Sequence, residues 1–385
     1  MRIIDSDMHF MEPFTVYQDH LPRDRRDLAV RVECDDLGWP WLTHRGSRLY
    51  PIDLHVPGRV DLVGGRRAKQ RAGEVAPPAE SLGDACDPAA RIATLDANGS
   101  DAALVFPNLG LLWEEALSGD PESQRANLEA YHTWLLEQMP ATAGRLHPAA
   151  QLTLRDLDWT ERELTRCARG GIRAAMIAAQ PVDGRALAHP DFDRAWALCQ
   201  DLDVAVCFHV SNIRLPLDPA WYALDPEPLN KVLDSTFLWL APAVAVTSLI
   251  VHGKLEQFPR LRIGVVELSA RWVPEYLLHL EGAFQFYRTQ TGRPLTQLPL
   301  RPSEYFRRQV RVNALAPEGA ALLIGAAGDL FMWGSDYPHA EGMARPDFRE
   351  YERIQPKRLD AGARAALAGG NAAFLLGLRD AAAAC

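Results

Sequence analysis

The sequence has no C-x-x-C pair; its six cysteines, Cys34, Cys86, Cys167, Cys199, Cys207 and Cys385, are scattered along the chain. That excludes a zinc knuckle and a disulfide framework, and the cysteines read as reduced thiols. Cys207 lies in an apolar run and reads as a small core residue. There is no long Lys/Arg run, and the formal net charge is −9. Nucleic acid and anionic membrane surfaces select basic stripes, so a small-molecule substrate is the expected partner. No uninterrupted apolar stretch reaches the roughly 18 residues of a membrane span, and no basic, apolar and cleavage pattern precedes Asp7. A cytoplasmic location without a membrane partner is therefore expected. Repeats of about 20–50 residues are missing, which excludes solenoids and propellers. The one low-complexity tract, Ala-Ala-Ala-Ala-Cys, is expected to fray.

What is present is ordinary globular material, 48% hydrophobic and 24% charged, enough to bury a large core and unlike a disordered chain or a coiled coil. Eight short apolar runs, at 2–7, 101–107, 146–152, 172–178, 204–209, 261–267, 310–314 and 330–335, alternate with stretches of helical periodicity. The helical stretches lie at 87–97, 122–138, 159–169, 191–202, 229–240, 271–288 and 317–327. That alternation is the pattern of a parallel sheet wrapped by helices, with Asp87 and Asp191 placed as N-caps. The expected fold is a distorted (β/α)8 TIM barrel forming one domain over 1–385. From about 12 to 86 the chain is rich in Pro, Gly, Arg and Asp, with Trp39 and Trp41, and far exceeds the usual connection of about 2–6 residues. An insertion after strand one sits on the ligand-binding face of a barrel, so it is expected to form a lid or pocket wall.

Three strand ends carry chemistry. Asp7 and His9 are two residues apart, so in an extended segment they point the same way and can converge on one divalent ion, Zn²⁺ first and Mn²⁺ second. The apolar run Val204-Ala205-Val206-Cys207-Phe208 ends in His209, a buried imidazole in need of a partner. Leu330-Phe331-Met332-Trp333-Gly334-Ser335 delivers Asp336 to the edge where barrel sites collect, followed by His339 and Glu341, which read as substrate contacts or loop supports. Arg214, five residues after His209, can bind an anionic group.

These phrases resemble the amidohydrolase-2 family, relatives of aminocarboxymuconate-semialdehyde decarboxylase. The resemblance covers most of the chain outside the insertion. It is carried by Asp87-Pro88-Ala89-Ala90-Arg91, Phe258-Pro259-Arg260-Leu261, Trp272-Val273-Pro274, Gly334-Ser335-Asp336-Tyr337-Pro338-His339 and Gly369-Gly370-Asn371. It implies one divalent metal held by Asp7, His9, His209 and Asp336, and a homodimer. Where many members place a catalytic histidine at the end of strand six, this chain has Glu267, which can serve as base, further ligand or orienting group. Glu12 and His252 are expected behind the ligands, His252 on a helix packed against the barrel.

Three functions are compatible with these residues. The first is metal-dependent hydrolysis of a small carbonyl compound (amide, ester, lactone or activated C–C bond) through an activated water, with Asp336 taking the proton. The second is non-oxidative decarboxylation of an aromatic or unsaturated acid. The third is a binding protein on an inherited barrel.

Overall fold

The computed structural model describes residues 1–52, 69, 72–75, 86–211, 215–222, 229–295, 298–339 and 342–378. Arg214, Glu341 and the alanine tail fall outside them. The strands in chain order are β1 (Ile4–His9), β2 (Arg31–Cys34), β3 (Pro40–His44), β4 (Ser47–Pro51), β5 (Ala102–Phe106), β6 (Leu146–Gln151), β7 (Ala174–Met176), β8 (Ala205–His209), β9 (Ile263–Val266), β10 (Val310–Leu315) and β11 (Phe331–Gly334). Eight of them form a parallel sheet in the order β1-β5-β6-β7-β8-β9-β10-β11, flanked by helices: a distorted (β/α)8 barrel.

The barrel closes between β1 and β11, mostly at its C-terminal edge. The Asp336 amide donates to the Asp7 carbonyl at 2.8 Å and the His9 amide to Tyr337 O at 2.9 Å. The Ser6 hydroxyl donates to Trp333 O at 2.7 Å, across 327 residues of chain. Gly334 permits this approach, because a Cβ there would sit 2.7 Å from Asp7 Cβ and 2.1 Å from Asn313 Nδ2.

Inside the barrel the lower side chains are small: Ala102, Ala149, Ala174, Ala205 and Gly264. The space is filled from below by Leu375 and Leu376 at the end of the helix Asn371–Leu375. A Cβ on Gly264 would lie 2.8 Å from Leu375 Cδ2 and 3.2 Å from Cys207 Sγ. Cys207 is fully buried in this cluster, a small apolar filler as its sequence context indicates. Outside, the remaining apolar faces of strands and helices join one continuous core.

Several local expectations change. The strand expected at 172–178 shortens to Ala174–Met176, and Glu267 lies just past β9. Asp87 caps the helix Pro88–Asn98 by accepting from Ala89 N at 2.8 Å. Asp191 is no cap: it lies inside the 3-10 turn Pro190–Phe192, capped by His189, and it accepts from Arg185 instead. The helix expected at 229–240 divides into Leu229–Phe237 and Leu240–Val251. The span Val232–Val251 has the length and mean apolarity of a bilayer-crossing helix, although Asp234, Ser235 and Thr236 interrupt its apolar run. Here Ala241, Val246, Leu249 and Ile250 of its second half are buried in the outer layer of the barrel, as in the core helix of a barrel. His252 does not stand behind the ligands. It is exposed at the C-cap of that helix, its Nδ1–H donating to Ser248 O at 2.9 Å, because Gly253 (φ +72°) ends the helix and turns the chain outward.

The described part of the insertion is ordered structure. A short helix, Val16–Asp19, and the 3-10 segment Arg23–Leu28 lead into the antiparallel sheet β2-β3-β4. The Trp41 indole donates to Asp35 and lies under the Arg48 guanidinium, while the buried Trp39 donates to Glu74 O, so both tryptophans brace this sheet.

Candidate metal centre

Four strand ends bring acidic and imidazole side chains together. β1 supplies Asp7 and His9, β8 supplies His209, and the residues just past β9 and β11 supply Glu267 and Asp336. Asp7, His9, His209 and Asp336 are 0–1% exposed. His209 Nε2 is 3.4 Å from Asp7 Oδ1 and 3.5 Å from Glu267 Oε2. His9 Nε2 is 3.6 Å from Asp7 Oδ1, 3.4 Å from Asp336 Oδ1 and 3.8 Å from Glu267 Oε2. Two overlapping groups result: Asp7, His9 and His209 gather with Glu267, and Asp336 gathers with His9, Glu267 and His339, so His9 and Glu267 belong to both.

The donor chemistry fits a cation. His9 Nδ1 is 2.9 Å from Pro107 O and His209 Nδ1 is 2.8 Å from Val210 O. A carbonyl only accepts, so each Nδ1 carries a proton and each ring turns its Nε2 to the carboxylates, as a lone pair in neutral His209 and as the site of a displaceable second proton in His9. Lone pair facing lone pair is repulsive unless positive charge sits between them. Among the described residues, Asp7 Oδ2 and His9 Nε2 are buried without a hydrogen-bond partner, which is costly for polar atoms that hold nothing. Burial opposes a charged His9, yet Asp336 and Asp7 outweigh it and hold its pKa well above the ordinary value. The same carboxylates favour a divalent ion in place of that proton. Burial lowers the pKa of His209, leaving its ring neutral and ready to ligate.

The backbone aims the two late carboxylates by one device. Glu267 (φ +54°) and Asp336 (φ +56°) both adopt the left-handed region, at a cost of about 1–2 kcal/mol each for a non-glycine residue. The strain turns the chain sharply where each strand ends. Asp5 stabilises the same seam, its Oδ1 accepting from the amides of Asp7 and Ser335, both at 3.0 Å. Burial pushes its carboxyl up to about 7 despite those bonds.

His339 stands beside the ligands, its Nδ1 2.6 Å from Asp336 Oδ1 and its Nε2 3.1 Å from Asn108 Oδ1. Burial opposes ionisation of Asp336, but His339 and His9 prevail and hold its carboxyl below the usual range. Glu12 is buried beneath the turn after β5, its carboxylate accepting from the amides of Asn108 and Leu109 at 3.0 Å. Burial raises its pKa to about 7. Asn108 was not singled out from sequence, although its place just past the end of β5 was a signal that could have found it. Arg214 and Glu341 lie outside the described residues, and His252 is exposed on the outer layer.

A family model described as amidohydrolase matches residues 4–378. The structure is similar to that of an amidohydrolase from Mycobacterium avium subsp. paratuberculosis K-10, with 26% identity, TM-score 0.78, and 97% of this chain and 99% of that chain covered. It also resembles a 5-carboxyvanillate decarboxylase from Sphingomonas paucimobilis (20% identity, TM-score 0.62, 98% and 99% covered). A third similar fold is a dihydroxybenzoic acid decarboxylase from Polaromonas sp. JS666 with bound manganese (14% identity, TM-score 0.57, 99% and 98% covered). A search among curated proteins finds no match. With its barrel, its converging carboxylates and imidazoles and a family match over nearly its whole length, the chain belongs to the amidohydrolase-2 family of metal-dependent enzymes.

Proposed function

We propose that this chain is a carboxy-lyase that removes carbon dioxide from a small aromatic or unsaturated carboxylic acid, with Asp7, His9, His209 and Asp336 holding one divalent cation. The observation that carries this reading is the 2.6 Å contact between His339 Nδ1 and Asp336 Oδ1 beside the ligand cluster. Decarboxylation needs a proton delivered to the carbon that loses its carboxylate, and an imidazole paired with a carboxylate keeps a proton at that position. A cation held there supplies a Lewis acid that anchors and polarises the substrate's oxygen atoms. His339, fixed at both nitrogens by Asp336 and Asn108, presents a preset, buried ring. Several similarly folded chains are named as decarboxylases, three of those structures with manganese, which supports both the reaction class and Mn²⁺ over Zn²⁺.

Hydrolysis is the second reading, favoured by Asp336 Oδ2, which accepts no hydrogen bond among the described residues and could take a proton from water. A panel of hydroxylated benzoic acids, lactones and amides, followed by mass spectrometry, separates the two. Loss of carbon dioxide supports the lyase, and gain of a water overturns it in favour of the hydrolase. If turnover persists undiminished after exhaustive chelation, or in Asp336→Asn, the metal-dependent reading fails altogether.

A further inference from the structure

We propose that Glu267 is itself a ligand of the cation, a fifth protein donor in place of the imidazole base that the resemblance leads one to expect at this strand end. The inference rests on the reading of this cluster as a metal centre. Its first support is spacing. Donor atoms about 2.0–2.2 Å from one ion sit roughly 3.0–3.6 Å from their neighbours, from octahedral to tetrahedral arrangements. Three of the four contacts fall in that range, Glu267 Oε2 at 3.5 Å from His209 Nε2 and Asp7 Oδ1 at 3.4 and 3.6 Å from His209 and His9 Nε2, and the fourth, Glu267 Oε2 to His9 Nε2, is slightly longer at 3.8 Å. All four donor atoms lie within 4.8 Å of one another. A base acting on substrate would stand outside this figure; Glu267 forms one of its corners.

The second support is the nature of the neighbours. Both nitrogens facing Glu267 are Nε2 atoms, because each ring turns its Nδ1 to a backbone carbonyl, Pro107 O for His9 and Val210 O for His209. The backbone thus fixes both rings with the nitrogen that can ligate turned toward Glu267 Oε2, so one ion placed among them meets all three groups. The third support is the backbone. Glu267 uses the same left-handed turn at the end of β9 that Asp336 uses at the end of β11, and in both places strain is spent to aim a carboxylate at one point.

The resulting donor set is three carboxylates and two imidazoles. Hard oxygen donors and a coordination number above four select Mn²⁺, whereas catalytic Zn²⁺ ordinarily takes three protein ligands. Glu267 thereby tunes which metal the protein keeps, and the proton task stays with His339.

The test uses purified apo protein and no substrate. Mn²⁺ and Zn²⁺ dissociation constants are measured by competition with a chromophoric chelator for wild type, Glu267→Gln and Glu267→His, with circular dichroism checking the fold. Expected is a loss of Mn²⁺ affinity of at least about 100-fold in Glu267→Gln, exceeding the about 10–100-fold typical of groups behind the ligands. In Glu267→His the preference shifts toward Zn²⁺. Wild-type Mn²⁺ affinity in a folded Glu267→Gln overturns the proposal. The Co²⁺-loaded proteins give a second readout: a visible spectrum showing fewer ligands in Glu267→Gln supports it, and an unchanged spectrum refutes it. Should the wild type itself bind no cation, the metal-centre reading fails, a result distinct from failure of the Glu267 assignment.

Discussion

The imidazole of His9 lies stacked on that of His339, ring centroids 4.0 Å apart and planes inclined at 27°. Both rings are tied to consecutive residues of one turn, His9 to the carbonyl of Pro107 and His339 to the side chain of Asn108. That turn is held from below by the buried carboxylate of Glu12. A ligand and a proton carrier thus share one support, and the support can be altered without touching either.

Asn108→Ala removes the partner of His339 Nε2 while leaving all five proposed ligands in place. Turnover is expected to fall about 10–100-fold, as for groups that orient a metal site's side chains, with one metal ion per chain still retained by elemental analysis. Unchanged turnover would show that His339 needs no such orientation.

Cation binding is expected to stabilise the fold measurably. At free Mn²⁺ about 100 times its Kd, linkage adds about 2.7 kcal/mol and raises Tm by roughly 3 °C. Asp7→Asn should lose most of that increment while remaining folded. An equal rise in both proteins, read by differential scanning calorimetry, would place the stabilising ion elsewhere.

A pH-dependent contribution comes from outside the barrel, where His132 Nδ1 lies 2.8 Å from Glu163 Oε1, both buried. Burial opposes the charged His132, but Cys167 and Glu163 outweigh it and raise its pKa from 6.5 to about 9. Burial likewise opposes ionised Glu163, but His132 and Arg166 lower it from 4.5 to about 2. The raised imidazole stabilises fully below 6.5 and loses that contribution as pH climbs through about 9; the depressed carboxylate stabilises fully above 4.5 and loses it as pH falls through about 2. His132→Leu should therefore cost about 3 kcal/mol at pH 5–6, less at pH 9 and less again near pH 2. Urea titrations giving the same difference at every pH would contradict the ion pair.

Gly264→Ala forces a methyl against Leu375 and Cys207, and overpacking of this kind costs about 1–3 kcal/mol. Leu375→Ala in the same chain should recover part of the loss, a non-additivity expected of touching residues. Strict additivity in denaturant unfolding would mean that the helix Asn371–Leu375 does not fill the barrel as described.

The barrel and its ligands were legible because both follow from local pattern. Apolar runs ending in Asp7/His9, His209 and Asp336 announce strands that deliver polar groups to one edge, and the tertiary fold had only to close the circle. The β2-β3-β4 sheet was hidden because its strands are short and interleaved with Pro, Arg and Gly, so no clean alternation marks them. The helix Leu240–Val251 escaped because apolar residues run through it without a polar face. His252 was misplaced since only the turn at Gly253 decides which way it faces. The position of Glu267 was plain, but whether it served as base, ligand or support depended on which nitrogens of His9 and His209 face it, and that is set by Pro107 and Val210, remote from it in sequence. The His339–Asp336–Asn108 chain depends on the β5 turn meeting the β11 turn, a proximity no local pattern encodes.

The seam between β1 and β11 bears on how the protein is made. Ser6 waits for a carbonyl 327 residues later, and the floor beneath it is completed only by Leu375 and Leu376. While a ribosome is still adding those segments, Asp7 and His9 have emerged without Asp336, so nascent chains cannot capture metal at the finished centre. The centre takes shape only when β11 and the helix Asn371–Leu375 after it have joined the cylinder.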